Sequence, residues 1–68
     1  MTVVVNGETR ELRDGATVVD LLSTMHLNAE GKGIAVARNG GIVLRREWIN
    51  TTLAPDDHVE VLHAVQGG

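Results

Sequence analysis

No cysteine occurs among the 68 residues of this chain, and that absence constrains its fold more than any other feature. Short domains commonly add disulfides or thiolate-bound metals, because a small body buries too little apolar surface to offset its ordering entropy. With neither device available, nearly every aliphatic side chain must enter one core, and no second domain has room to form. The core has to be aliphatic, since 43% of the residues are apolar yet Trp48 is the single aromatic. Zinc-thiolate sites, iron-sulfur sites and a thiol nucleophile are excluded along with the cysteine. A deep catalytic cleft does not fit a body of this size.

Charge narrows the partners. Six Lys and Arg against nine Asp and Glu leave a net charge of −3, and no basic run is flanked by aromatics on which bases could stack, so nucleic acid is not an expected ligand. A positively charged partner surface fits better. No apolar run approaches the ~18–20 residues that span a bilayer, and no basic segment precedes an apolar one after Met1-Thr2-Val3. The expectation is a cytoplasmic protein without membrane contact and without internal repeats.

Residues 1–5 form a short β-branched run that stops at Asn6-Gly7, a dipeptide suited to a type I′ hairpin turn, and residues 9–13 should return as the second strand. Asp14-Gly15 breaks that pattern. Thr17 with Asp20 three positions on reads as a helix cap close to a capping box. Val18, Leu21, Leu22 and Met25 then make one apolar stripe on a helix of two to three turns that runs out around Leu27-Asn28. After the connection Gly31-Lys32-Gly33, residues 34–38 read as a strand, Asn39-Gly40-Gly41 as a turn and 42–44 as a short strand. Residues 45–53 are irregular or single-turn structure around Trp48, a core plug or lid. Pro55-Asp56-Asp57 is a turn, and 59–65 is the last strand. The order β-β-α-β-β-β implies an α+β fold, a mixed sheet of four or five strands with the helix on one face. The first and last strands, the most apolar, should lie side by side at its centre, and if parallel they are joined through the helix.

The last strand discharges into Gln66-Gly67-Gly68. Small chain ends are often merely unordered, but two glycines directly after an apolar strand can thread a channel too narrow for any side chain. The terminal carboxylate is the one carboxyl group that an extended string can present, and adenylation would give it a leaving group that a nucleophile displaces. Other residues offer less. His26, His58 and His63 lack metal-ligand spacing, Asp56-Asp57 reads as a turn pair, and Gly31-x-Gly33 reads as a linker without the strand-to-helix context of a phosphate loop.

The pattern with its Gly-Gly end resembles the ubiquitin-like β-grasp fold, and more narrowly the ThiS-type sulfur carriers of thiamine biosynthesis. The run from Ala35 to Trp48, Ala-Val-Ala-Arg-Asn-Gly-Gly-Ile-Val-Leu-Arg-Arg-Glu-Trp, is similar to that family's Ala-x-Ala-x-Asn-x-x-Ile-Val-Pro-Arg-x-x-Trp. The end from Val59, Val-Glu-Val-Leu-His-Ala-Val-Gln-Gly-Gly, resembles its Val-Glu-(Ile/Val)-x-x-Ala-Val-x-Gly-Gly. Thr17-Val18-Val19-Asp20-Leu21-Leu22 matches its helix start. Two positions depart: Leu44 stands at the usual proline, and Pro55-Asp56-Asp57 replaces the common Asp-Gly-Asp turn.

The resemblance implies a β-grasp domain over 1–65 with a flexible tail over 66–68, monomeric when free, with no catalytic residue, metal or bound cofactor of its own. An E1-like adenylyltransferase would adenylate Gly68 with ATP and Mg²⁺. A cysteine desulfurase or rhodanese-type donor would convert it to a thiocarboxylate, and thiazole synthase would take the sulfur. Gly67 and Gln66 would enter the partner's active site. Sulfur held on the terminal carbonyl needs no cysteine. The molybdopterin synthase small subunit, a carrier for cysteine or thionucleoside synthesis, and an interaction module with an inert tail remain alternatives. If Val59 and Val61 face the helix, Glu60, Leu62 and Ala64 line the opposite face, where Leu62 and Ala64 would form an apolar docking patch with an acidic rim. Arg45, otherwise solvated, would meet an acidic partner.

Overall fold

The computed structural model describes residues 1–28 and 32–64. Strands β1 (Thr2–Val5) and β2 (Glu8–Glu11) lead to helix α1 (Val18–Thr24). Strands β3 (Ile34–Arg38) and β4 (Gly41–Val43), a 3₁₀ segment (Arg45–Asn50) and strand β5 (His58–His63) follow. The five strands form one sheet in the order β2-β1-β5-β3-β4. As the apolar patterning predicts, β1 and β5 lie side by side at the centre and run parallel, with Val5 opposite Val59.

Both hairpin turns form as their Asn-Gly pairs predict, with φ of 51° and 82° at Asn6-Gly7 and 49° and 86° at Asn39-Gly40. Positive φ at both central positions matches the strand twist and fixes the register, so that Val5 opposes Glu8 and Arg38 opposes Gly41.

Helix α1 starts at the predicted cap, where the Thr17 hydroxyl accepts from Asp20 N–H and the Asp20 carboxylate accepts from Thr17 N–H. It ends sooner than the apolar periodicity suggests. His26 takes φ 60° and its N–H donates to Ser23 O at 3.0 Å, while Leu27 N–H donates to Leu22 O at 2.9 Å. That pair of bonds is a Schellman cap, here with histidine where glycine is usual, and it returns Leu27 to the core.

Val18, Leu21 and Leu22 of α1 meet Val3, Val5, Val36, Val59 and Val61 on one face of the sheet. Trp48 fills one end of this core as a plug, only 2% exposed, and its Nε1–H donates to Val43 O at 2.9 Å. Full burial of one such aliphatic side chain contributes about 1.5–3 kcal/mol.

Several boundaries move. Strand β2 is Glu8–Glu11 rather than 9–13, because Leu12 turns into the core. Strand β4 stops at Val43, because Leu44 opens the 3₁₀ segment with φ −67° and ψ 146°. Strand β5 begins one residue early and ends at His63. The loop glycine Gly31 and residues 65–68, hence the tail and the boundary expected at 65, lie outside the described residues.

Candidate functional site

Alternation along β5 sends Val59 and Val61 to the helix and leaves Glu60 and Leu62 on the uncovered face. Register extends that face sideways, setting Leu62 beside Ala35, Glu60 beside Ala37, and Ala37 beside Ile42. Leu44 and Arg45 close one end where β4 gives way to the 3₁₀ segment. The result is an open groove of about 340 Å³ lined by these residues. Small alanines make its floor, and large aliphatics stand exposed around it: Ile42 by 80%, Leu62 by 67% and Leu44 by 45%.

Exposed aliphatics gathered around one groove cost solvation unless a partner covers them. Most of its lining is aliphatic, which offers few of the converging polar groups that orient a small ligand. It suits apolar side chains of another protein. Glu60 borders it on one side and Arg45 on another, so the rim carries both signs of charge. Ala64 is exposed just past the end of β5. Gln66, Gly67 and Gly68 lie outside the described residues. Ile42, Leu44, Ala35 and Ala37 escaped sequence reasoning, although the alternation of β3 against Ile34 and Val36 was a signal for the alanines.

The strand that bears Glu60 and Leu62 is gripped by side chains from both hairpin turns. Asn6 Nδ2 donates to Val61 O at 3.0 Å and Asn6 Oδ1 accepts from Val61 N at 2.9 Å. Asn39 Oδ1 accepts from His58 N at 2.9 Å. Asp56-Asp57 lies in a turn as the sequence suggests, and Asp57 is in addition buried. It accepts from Arg38 Nε at 2.7 Å, Asn39 Nδ2 at 3.0 Å and Ala54 N at 2.8 Å. Burial pushes its carboxyl up, but the Ala54 N–H, the Asn39 amide and the Arg38 guanidinium outweigh it and hold the group below its ordinary value of 3.8. Gly33, read as a linker residue, carries φ 82° and accepts from Ala64 N–H at 2.8 Å through its carbonyl.

A mixed five-stranded sheet with its first and last strands parallel at the centre and one helix across one face is the ubiquitin-like β-grasp arrangement. A profile of the ThiS family matches residues 3–68, and the chain belongs to that family. It superposes with a TM-score of 0.80 on the crystal structure of the thiamine biosynthesis protein ThiS from Geobacter metallireducens, at 30% identity over the whole of both chains. The solution structure of a thiamine biosynthesis protein from the same organism gives 0.81 at 30% identity, covering all of this chain and 88% of that one. A thiazole synthase from Magnetococcus marinus is 35% identical over 68 residues, and the chain spans 20% of its length.

Proposed function

We propose that this chain is the sulfur carrier of a thiamine thiazole pathway, with the Gly68 carboxylate as the group that carries the sulfur. The observation that carries the reading is the ThiS-family match through residue 68 joined to an apolar docking groove on the strand that leads to that residue. An E1-like adenylyltransferase docks on Ile42 and Leu62, admits Gln66-Gly67-Gly68, and uses ATP and Mg²⁺ to convert the carboxylate to an acyl-adenylate with release of pyrophosphate. A persulfide from a cysteine desulfurase or rhodanese-type donor attacks the acyl carbon and AMP leaves. A second thiol then cleaves the S–S bond reductively and frees the thiocarboxylate, a soft anionic nucleophile held on a protein handle. The chain is thus a co-substrate rather than a catalyst, acting in the cytoplasm where ATP is supplied. Thiazole synthase is the sulfur acceptor in this reading, supported by the similarity of the whole chain to a fifth of a protein of that name.

Adenylation is tested by ATP-pyrophosphate exchange with a ThiS-class adenylyltransferase. The full chain should support exchange and a chain lacking Gly68 should not. Equal exchange by both would remove Gly68 as the reacting group.

A further inference from the structure

Gly33 holds Ala64, the last described residue of the chain. Pairing of β3 with β5 ends at Ile34 opposite His63, and one further bond, Ala64 N–H to Gly33 O at 2.8 Å, ties the chain down beyond the ladder. A Cβ added at Gly33 would lie 3.1 Å from Ala64 O and 3.5 Å from Ala64 Cβ. At Gly7, Gly15 and Gly40, which share its positive φ, an added Cβ would meet nothing within 4 Å. Those three need glycine only for backbone angle. At Gly33 an added Cβ would also crowd a neighbour, which would have to give by a few tenths of an ångström.

We infer that Gly33 is a positioning residue for the carrier reaction: by admitting Ala64 against its backbone it fixes the root of the reactive end, so that four residues separate a fixed point from the Gly68 carboxylate. This rests on the carrier reading. Four residues span at most about 14 Å when fully extended, so a partner docked on the open face must hold its reacting centre within that distance of Ala64. Were that centre to lie near the limit, few conformations of the segment would reach it, and the root would decide where the carboxylate arrives. Releasing Ala64 and His63 would add about 7 Å of slack. The body would dock as before, but the carboxylate would be at the reacting point less of the time.

Gly33→Asn separates the two demands on the residue, because asparagine tolerates positive φ, as Asn6 and Asn39 do here, yet brings a Cβ that crowds Ala64 O at 3.1 Å. Gly40→Asn is the control with the same angle and open space. In Gly33→Asn, amide exchange at Ala64 should quicken at least tenfold, and kcat for adenylation should fall at least threefold with KM unchanged. Gly40→Asn should match wild type in both. Should Gly33→Asn not fold, one glycine inserted after Ala64 in the wild-type chain tests the same claim, with Ala64 still protected and kcat lowered at unchanged KM. Wild-type protection at Ala64 in a folded Gly33→Asn chain, or wild-type kcat in that chain or in the insertion variant, would overturn the inference. A wild-type chain that is never adenylated would overturn the carrier reading itself and the positioning role with it, while exchange at Ala64 would still report the bond to Gly33.

Discussion

Asp57 sits where three segments meet, taking hydrogen bonds from Arg38 at the end of β3, Asn39 in the following turn and Ala54 in the loop before β5. One carboxylate thereby fixes the start of the central strand. Because its pKa is lowered in the fold, its contribution is complete above the unfolded value and is lost as pH falls through the folded one. Stability should therefore hold from about pH 8 to pH 5 and decline below about pH 4. Asp57→Asn removes the charge and leaves Arg38 without its counter-ion, which should cost about 1–2 kcal/mol near neutral pH and make the acid decline shallower. Urea unfolding across that range checks both, and identical profiles would dismiss the clamp. Some decline should remain, since Asp20 is also lowered, first by the Thr17 N–H and further by Arg13. Asp57 was illegible in the sequence because a turn aspartate and a buried aspartate look alike until the chain 19 residues upstream is brought against it. Asn6 hid its role in the same way, its local turn being readable and its bonds to Val61, 55 positions away, not.

At the scale of elements, the turn before β5 explains one departure from the family pattern and the start of the 3₁₀ segment explains the other. Asp57 N–H donates to Ala54 O at 3.1 Å and Asp56 takes φ 67°, which makes residues 54–57 a type II turn with Pro55 at its second position and aspartate where glycine is favoured. The family's Asp-Gly-Asp has glycine at that place. Asp56→Gly should therefore stabilise the chain by about 0.5 kcal/mol, the relief of the left-handed backbone being partly offset by the freedom glycine adds to the unfolded state. Thermal unfolding measures it, and a lower midpoint would contradict the assignment. Leu44 stands at the family's proline with φ −67°, close to the angle a proline ring imposes, so the backbone there fits either residue. Its N–H gains a bond to Glu47 Oε1 at 3.1 Å. Elements whose ends carry their own chemical signal, the Thr17 cap and the two Asn-Gly turns, were legible from the sequence. The ends of α1, β2 and β5 were not, because His26 takes the left-handed backbone usual for glycine, Leu12 turns into the core, and the pairing of β5 with β3 stops at Ile34.

For the whole molecule, the apolar stripe of one helix and the alternation of β5 were enough to place the helix on one face and Leu62 on the other. The width of the apolar face was hidden, because it depends on the register that brings Ala35, Ala37 and Ile42 alongside. Ile42 is more exposed than Leu62, so Ile42→Asp should leave folding intact and raise KM for the adenylyltransferase at least tenfold, with kcat little changed, as expected for loss of an apolar anchor. An unchanged KM in a folded chain would remove the groove as the docking surface. Carriage of one sulfur atom on Gly68 would change the intact mass of the chain. Incubated with its adenylyltransferase, ATP, Mg²⁺, a persulfide donor and a thiol reductant, the chain should gain the mass of a single oxygen-for-sulfur exchange, located at Gly68 by fragmentation. An unaltered mass, in a mixture that converts another ThiS-family chain, would rule out sulfur carriage on Gly68 and leave a ubiquitin-like interaction module with an inert tail.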